Sequence, residues 1–193
     1  VYKRQITNEA ISFIQTSNKP FLSFISYNTP HSPMQVPDKY LDGKDILLRG
    51  RYSKRENIEK TKAAMGMIEN IEENIGNVVR LLKEKGVYEN TIIIFFSDNG
   101  PNGNRWNNDL KDRKGSTNEG GVRVPFFIQW PNNIKKGLKI KQISSVLDVF
   151  PTLLELTGNE SLNDLDGISL KRFLDSPLLS VSYTHLRAHE TDR

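Results

Sequence analysis

Short oxygen-bearing side chains follow an apolar run in the middle of this 193-residue chain. Asp98 and Asn99 come directly after Ser97 and the apolar residues 92–96, whose lack of alternation predicts a strand buried on both faces. In open α/β sheets, ligands bind where such strands end. A carboxylate and an amide oxygen are hard ligands, so Asp98 and Asn99 are candidate ligands for Ca²⁺ or Mg²⁺. A plain turn is the alternative interpretation.

A cationic loop follows this turn. Lys114 lies in a Gly- and Ser-containing stretch, and a second apolar run at residues 126–128 predicts another buried strand. Because the loop separates two predicted strands, Lys114 can return to the same sheet edge as Asp98. Glu119 and Arg123 stand in a tight Gly-Gly segment, where an internal ion pair or a backbone contact is the expected use.

His31 is the third candidate. Residues 21–27 predict a strand, and at its exit Pro30 and Pro33 stiffen the backbone on either side of the histidine. A histidine in this position can donate a hydrogen bond, donate a proton or bind a metal ion. A local structural bond in the loop is the alternative.

The order of these motifs resembles the formylglycine-dependent sulfatases, the arylsulfatase-like branch of the alkaline phosphatase superfamily. The matching strings are PHSP at 30–33, SDNGP at 97–101, KGSTNEGGVRVPF at 114–126 and LDVFPTLLELTGN at 147–159. The similarity runs from about residue 6 to about residue 176. Two positions depart from the family. Asn118 stands where the family usually has an aromatic residue, and Lys111 stands where it often has Arg. Both departures flank Lys114, so they concern substrate contacts more than metal binding.

The resemblance implies a three-layer α/β/α sandwich with a mostly parallel mixed sheet, truncated at both ends, with residues 6–176 forming the C-terminal part of the catalytic domain. It implies that Asp98 and Asn99 bind calcium, with magnesium the weaker candidate. Lys114 is expected to contact the sulfate or the leaving oxygen, and His31 to assist. The family nucleophile is a formylglycine made from Cys or Ser in a C/S-x-P-x-R segment, which this chain lacks. We expect that segment and the remaining acidic ligands in the missing N-terminal part, so this chain alone is expected to be inactive.

Three function classes follow. The first is a sulfatase that hydrolyses aryl or carbohydrate sulfate esters, with a sulfated small molecule or glycan as its substrate. The second is a metal-dependent phosphodiesterase or phosphonate hydrolase of the same superfamily, and the third is a non-catalytic binding relative. The upstream nucleophile segment would discriminate them. Bacterial members of the family are usually periplasmic or secreted, so the resemblance implies such a location for this protein.

Composition is ordinary for a soluble protein, at 36% hydrophobic and 26% charged residues, and no apolar run approaches the length of a membrane span. The absence of cysteine excludes disulfides, Cys-type zinc sites and a cysteine nucleophile within this chain. Residues 1–5 and 181–193 resemble translated adapter sequence, and we interpret the pair His185 and His189 as part of a non-native tail. Without these ends the net charge falls from +4 to +2, which gives little support for a nucleic-acid partner.

Local signals predict the remaining elements. Helices are expected over residues 7–15, from a capping box at residues 53–56 through Leu82 to Gly86, and over residues 148–158. The long central helix is expected to pack on the sheet. Residues 142–146 predict a strand, and residues 38–52 a polar surface excursion. Trp106 and Trp130 are expected to pack, with sugar stacking as the alternative.

Overall fold

The computed structural model describes residues 2–41, 43, 50–51, 53–159 and 164–175. It consists of two compact units, Val1–Trp130 and Pro131–Arg193. The first unit contains helices α1 (Tyr2–Thr16), α2 (Ile58–Glu84) and α3 (Glu119–Val122) and strands β1 (Ile93–Phe96) and β2 (Phe126–Gln129); the second contains helices α4 (Val149–Leu156) and α5 (Lys171–Asp175). The predicted tail at 181–193, with His185 and His189, lies outside the described residues. Among the described helices, none combines the length and the apolarity that a bilayer span needs.

Helices α1 and α2 form the core of the first unit. Ile14 on α1 is 2% exposed, and α2 contributes Ala64, Met67 and Ile71 at the spacing of one helix face. The Lys85 ammonium donates to the Gln15 carbonyl over 2.9 Å and ties the end of α2 to the end of α1. We expected α2 to pack on the sheet. Its close neighbours in the described part are instead α1 and the 3-10 turns Asp38–Tyr40 and Tyr88–Asn90.

The start of α2 differs from the prediction, whereas its end agrees. The prediction of a capping box at residues 53–56 is wrong, because Ser53–Arg55 form a separate 3-10 turn. Asn57 is the N-cap, and its side chain accepts a hydrogen bond from the Lys60 amide over 2.9 Å. Gly86 follows the last turn with a φ of +71°, the left-handed conformation that ends many helices.

Strands β1 and β2 pair antiparallel, with Phe95 opposite Phe127 and Phe96 opposite Phe126. The prediction of strands buried on both faces is wrong, since Phe95 and Phe127 are 39% and 63% exposed. Their rings stack on each other with centroids 6.3 Å apart, so cross-strand contact takes the place of a covering layer. Within the described residues the sheet has only these two strands, and the predicted mostly parallel three-layer sandwich is not present there.

Residues 21–27 are extended but unpaired, contrary to the predicted strand. Their exposure alternates with a period of two, and Leu22 and Phe24 are 78% and 81% exposed. The other face lies against α1, where Phe13 and Phe21 meet edge to face. The segment therefore has the geometry of a strand without a hydrogen-bonded neighbour among the described residues.

The second unit is organised around Asp148, which is 2% exposed. Its carboxylate accepts hydrogen bonds from the amides of Ser145 and Ile168, over 2.8 and 2.9 Å. Helix α4 follows with its predicted glycine, Gly158, at a φ of +75°. No strand forms at residues 142–146, and residues 146–148 make a 3-10 turn instead. A capping box at Ser145 fixes that turn. The Ser145 hydroxyl accepts from the Asp148 backbone amide, and the Asp148 carboxylate accepts from the Ser145 backbone amide.

Candidate active site

The loop between β1 and α3 returns to the turn that carries Asp98 and Asn99. The Lys114 amide donates to the Pro101 carbonyl over 3.1 Å, which closes the loop immediately after that turn. The predicted approach of Lys114 to the end of β1 is therefore present in the backbone. The Lys114 side chain is exposed and has no carboxylate partner in the part of the chain that the structure describes, so its ammonium is free to meet an anion.

Glycines hold this turn against helix α3. The Gly100 amide donates to the Gly121 carbonyl over 2.8 Å, and the Gly120 amide donates to the Lys111 carbonyl over 2.7 Å. A Cβ atom on Gly100 would lie 1.9 Å from the Gly120 carbonyl oxygen, closer than any packing allows. The turn after β1 and the Lys111–Lys114 part of the loop thus contact the same two glycines, and only residues without a side chain fit there.

Asn118, one of the two departures from the family, has a structural role. Its amide group donates to the Asp112 carboxylate, which also accepts from the Ser116 hydroxyl over 3.3 Å. The Asn118 backbone amide donates in turn to the Ser116 oxygen over 3.0 Å. These bonds join both sides of Lys114, so the polar residue at 118 shapes the loop from within.

Asp98 and Asn99 are adjacent in space as well as in sequence. The Asn99 amide nitrogen donates to the Asp98 carboxylate over 2.5 Å. Turning that amide by half a rotation would bring its oxygen beside the carboxylate, the oxygen pair that a hard cation requires. The two side chains therefore fit part of a Ca²⁺ or Mg²⁺ shell. No group of three or more His, Asp or Glu residues suited to a metal occurs in the described part, so the pair supplies at most two ligands.

His31 is exposed, and its ring makes one local hydrogen bond. Its Nδ1 lies 2.8 Å from the Ser32 carbonyl oxygen. A carbonyl only accepts, so Nδ1 is the donor and Nε2 is left for another partner. The structure records no contact between His31 and Asp98, Asn99 or Lys114. The local bond and a functional Nε2 are therefore compatible, because the two ring nitrogens serve different partners.

Arg105 links the His31 segment to the β1–α3 loop. Its Nη2 donates to the Met34 sulfur over 3.4 Å, and Met34 lies shortly after His31. Sequence reasoning missed this residue, because no spacing or turn signal marks it. Burial lowers the pKa of the Arg105 guanidinium, and the nearby Glu56 charge opposes that effect. The contact brings the two candidate loops together.

The segment that follows His31 is fixed to helix α2 by Tyr40. The Tyr40 hydroxyl and the Lys39 ammonium both donate to the Glu73 carboxylate, the ammonium over 3.1 Å. These bonds hold the pKa of Glu73 below its ordinary value of 4.5. Gly66 leaves room for this contact, since a Cβ atom there would lie 2.7 Å from the Tyr40 carbonyl oxygen. The anchor therefore depends on a small residue on α2.

The structure also shows the contacts of the predicted ion pair and of the two tryptophans. Glu119 and Arg123 form the expected ion pair over 3.1 Å, although both side chains are exposed. Trp130 is packed, with its indole nitrogen buried and without an acceptor among the described residues. Trp106 is 42% exposed. Its ring is therefore only partly packed, whereas we expected both tryptophans to pack.

Comparison with known proteins places this geometry in a family. Residues 1–159 match the family model described as Sulfatase. The chain belongs to the sulfatase family. An arylsulfatase of Clostridium perfringens is 34% identical to this chain over an alignment of 203 residues, gaps included, which covers 88% of the chain and 41% of the relative. The N-acetylgalactosamine-6-sulfatase of Mus musculus is 31% identical over 175 residues, covering 85% of the chain and 31% of the relative.

Solved structures agree with the sequence relatives. The sulfatase chain superimposes on Ps i-CgsB in complex with k-i-k-neocarrahexaose with a TM-score of 0.76 and 31% identity, covering 89% of this chain and 38% of the other. A phosphonate monoester hydrolase from Silicibacter pomeroyi shares the fold, with a TM-score of 0.71 at 21% identity. The chain spans about two fifths of the length of the first of the curated relatives, so its relatives contain much that lies outside it.

Proposed function

We propose that the whole protein hydrolyses sulfate esters of aryl or carbohydrate substrates in a calcium-dependent reaction, and that this chain supplies one part of its active site. The observation that carries the proposal is the return of Lys114 to the turn that bears Asp98 and Asn99, closed by the bond to Pro101. Membership of the sulfatase family supports the reaction class.

Under this proposal, Asp98 and Asn99 hold a cation through their side-chain oxygens. When bound, calcium would supply positive charge at the sulfate and stabilise the charge that develops during hydrolysis. Asp98 and Asn99 alone are too few for a complete shell. The remaining ligands and the formylglycine nucleophile are proposed to come from the part of the protein outside this chain.

Lys114 is proposed to face the sulfate as a compact positive charge. The transferred group and the departing oxygen both carry negative charge in the transition state, so an ammonium held nearby lowers the barrier. The bond to Pro101 and the Asp112–Asn118 contact keep the lysine backbone in place on both sides. The backbone at Lys114 therefore needs little reorganisation when the substrate binds, and the flexible side chain is what moves to the sulfate.

His31 is proposed to act through Nε2, since Nδ1 is occupied by the Ser32 carbonyl. A protonated Nε2 can donate to the leaving oxygen, which otherwise departs with a full negative charge. The Tyr40 anchor supports this role by holding the His31 segment against helix α2.

The unpaired segment at residues 21–27 supports the larger fold. We propose that in the whole protein it is a strand of a mostly parallel sheet, the central layer of an α/β/α sandwich. Its alternating exposure and its contact with α1 through one face are those of a strand with a helix on one side. Its open backbone and outward side chains then pair with parts of the protein outside this chain.

A phosphonate or phosphodiester hydrolase is the second candidate, supported by the shared fold of the Silicibacter pomeroyi enzyme. The test is to express the protein from its complete coding region and to compare the hydrolysis of 4-nitrophenyl sulfate, a sulfated disaccharide and a phenylphosphonate monoester. We expect a C/S-x-P-x-R segment upstream and the sulfate esters as the preferred substrates. A preference for the phosphonate, or an intact calcium-loaded protein without hydrolase activity, would contradict the proposal.

A further inference from the structure

Arg105 is a half-buried cation without a carboxylate partner. Its Nη2 reaches only the Met34 sulfur, over 3.4 Å, and its Nε is buried with no acceptor in the described part of the chain. No described Asp or Glu oxygen lies within 4.0 Å of it. A thioether is a weak acceptor, so the buried Nε side of this half-buried guanidinium lacks a good hydrogen-bond partner. The charge of Glu56 acts on it only from beyond ion-pair distance.

The surrounding loop adds positive charge. Lys111, Arg113 and Lys114 follow Arg105 in the same loop. The Arg113 guanidinium donates to the Asn104 side-chain oxygen over 2.5 Å, and the Asn104 amide donates to the Arg55 carbonyl over 3.3 Å. These bonds hold the backbone next to Arg105 in place. Residues 97–118 also contain Asp98, Asp109 and Asp112, so the net charge of the loop is +1. The fixed backbone and this small positive excess both favour an anion at this position.

The edge of the guanidinium that faces Met34 suits an oxyanion. Nε and Nη2 form one side of the planar group, and this side bonds two oxygens of a sulfate or carboxylate at once. Met34 occupies it now. Methionine is unbranched and has three rotatable bonds, so it can swing aside at small cost when a stronger acceptor arrives.

We propose that Arg105 binds a second sulfate group of a multiply sulfated substrate, beside the sulfate ester that is hydrolysed. The inference rests on the proposed function for the identity of the substrate. Lys114 and His31 serve the reacting sulfate, whereas Arg105 lies earlier in the loop and contacts Met34 beyond His31. Arg105 is thus a specificity residue, which selects substrates by a charge away from the reacting bond.

Binding of free sulfate tests the site without any turnover. The 193-residue chain, with Phe24→Lys to prevent association through the exposed residues 21–27, is titrated with sodium sulfate at constant ionic strength. Sodium chloride is the balancing salt, and the amide NMR signals of Met34, Arg105 and Trp106 are followed. We expect a saturable response to sulfate. Arg105→Gln should weaken it about tenfold or more, the usual effect of losing a hydrogen bond to a charged group. The sulfate affinity of Arg105→Lys should lie between that of the unchanged chain and that of Arg105→Gln, since an ammonium keeps the charge but lacks the planar fork.

Arg80→Gln is the matched control, because it removes the same charge from the exposed surface of α2. We expect it to bind sulfate as the unchanged chain does. Equal sulfate binding by Arg105→Gln, or an equal response to chloride in the unchanged chain, would overturn the proposal. So would loss of binding in Lys114→Ala with full binding in Arg105→Gln, because the anion would then belong to the reacting position.

The whole protein provides the second arm. The ratio of kcat/KM for a disulfated disaccharide to that for its monosulfated analogue should fall about tenfold or more in Arg105→Gln. An unchanged ratio would show that Arg105 does not select a second sulfate. If the unaltered protein hydrolyses neither substrate, the proposed function fails, and the sulfate titration still decides whether Arg105 holds an anion.

Discussion

Gly100 and Gly121 are joined by a hydrogen bond of 2.8 Å between the amide of the first and the carbonyl of the second. The bond connects the turn after β1 to helix α3, and the carbonyl oxygen of Gly120 fills the space that a side chain on Gly100 would need. Two candidate-site segments are therefore held together by the absence of side chains. Any larger residue at position 100 must separate them.

Gly100→Ala is expected to destabilise the first unit by about 1–3 kcal/mol, the usual cost of forcing extra volume into a packed site. The free energy of unfolding is measured by urea denaturation. Gly76→Ala is the control, because a Cβ atom on Gly76 meets nothing within 4 Å on helix α2. It should stabilise the helix by about 0.5–1 kcal/mol. Two equally stable variants would show that the turn and α3 are not in contact.

Lys114→Ala in the whole protein is expected to lower kcat for a sulfate ester by about a hundredfold to a thousandfold, the usual cost of losing one electrostatic contact with the transition state. Its calcium content should not change, because an ammonium cannot bind a cation. Asp98→Ala should lose calcium and activity together, since it removes a carboxylate ligand. Elemental analysis beside the rate measurement separates the two effects. A Lys114→Ala protein that is folded and has wild-type kcat and kcat/KM would make the lysine a plain surface charge.

The Glu73 cluster predicts a change in stability on the acid side. Bonds from Tyr40 and Lys39 lower the pKa of Glu73 below 4.5, so the carboxylate stabilises the fold above that pH and loses its effect as the pH falls through the lowered pKa. Glu73→Gln should therefore reduce the urea midpoint at pH 7, with the difference from the unchanged chain shrinking below pH 4.5. Glu72→Gln, at an exposed neighbouring position, is the control and should leave the midpoint nearly unchanged.

The same cluster gives the opposite sign at high pH. The pKa of Lys39 is raised above 10.5 by its bonds to Tyr40 and Glu73. Its contribution is complete below 10.5 and disappears as the pH rises through the raised pKa. A difference between Glu73→Gln and the unchanged chain that stays constant from pH 3 to pH 11 would contradict the assignment of these bonds.

Thr152→Val tests the second unit. The Thr152 hydroxyl is buried, donates to the Asp148 carbonyl over 2.5 Å and accepts from the Leu170 amide over 2.8 Å. Valine has nearly the same shape but removes the bond to the Asp148 carbonyl and takes the hydroxyl acceptor away from the Leu170 amide, which costs about 1–3 kcal/mol. Thr157→Val, at an exposed threonine that bonds the Leu153 carbonyl, should stay within about 0.5 kcal/mol. Equal destabilisation of both variants would show that burial is not what makes Thr152 costly to replace.

Local signals predicted the elements that local interactions build. Helix α4 was expected from Pro151 in its first turn and from Gly158 after its end, and both positions agree with the structure. The loop between two predicted strands allowed Lys114 to return to the end of the first strand, and its backbone amide does reach the Pro101 carbonyl there. Each of these inferences needed only the residues of one segment and its nearest neighbours in sequence.

Tertiary contacts account for what the sequence did not predict. Residues 21–27 and 142–146 have strand composition, yet a strand forms only where a second strand supplies the hydrogen bonds, and that partner is not encoded locally. Ser53 and Asn57 are both suitable N-cap residues. Helix α2 begins at Ile58, so Asn57 is the residue that caps it. Arg105 carries no signal of its own, because its contact with Met34 depends on how two distant loops meet.

The extended segment at 21–27 also bears on how this chain behaves in concentrated solution. Leu22 and Phe24 point outward from a backbone that is not engaged in a sheet, and such an edge is a template on which another copy can add its own strand. Its mean composition is apolar, with no charge from residue 21 to residue 27 to repel a second chain. The purified chain should therefore aggregate as its concentration rises, and a lysine in place of Phe24 should keep it monodisperse.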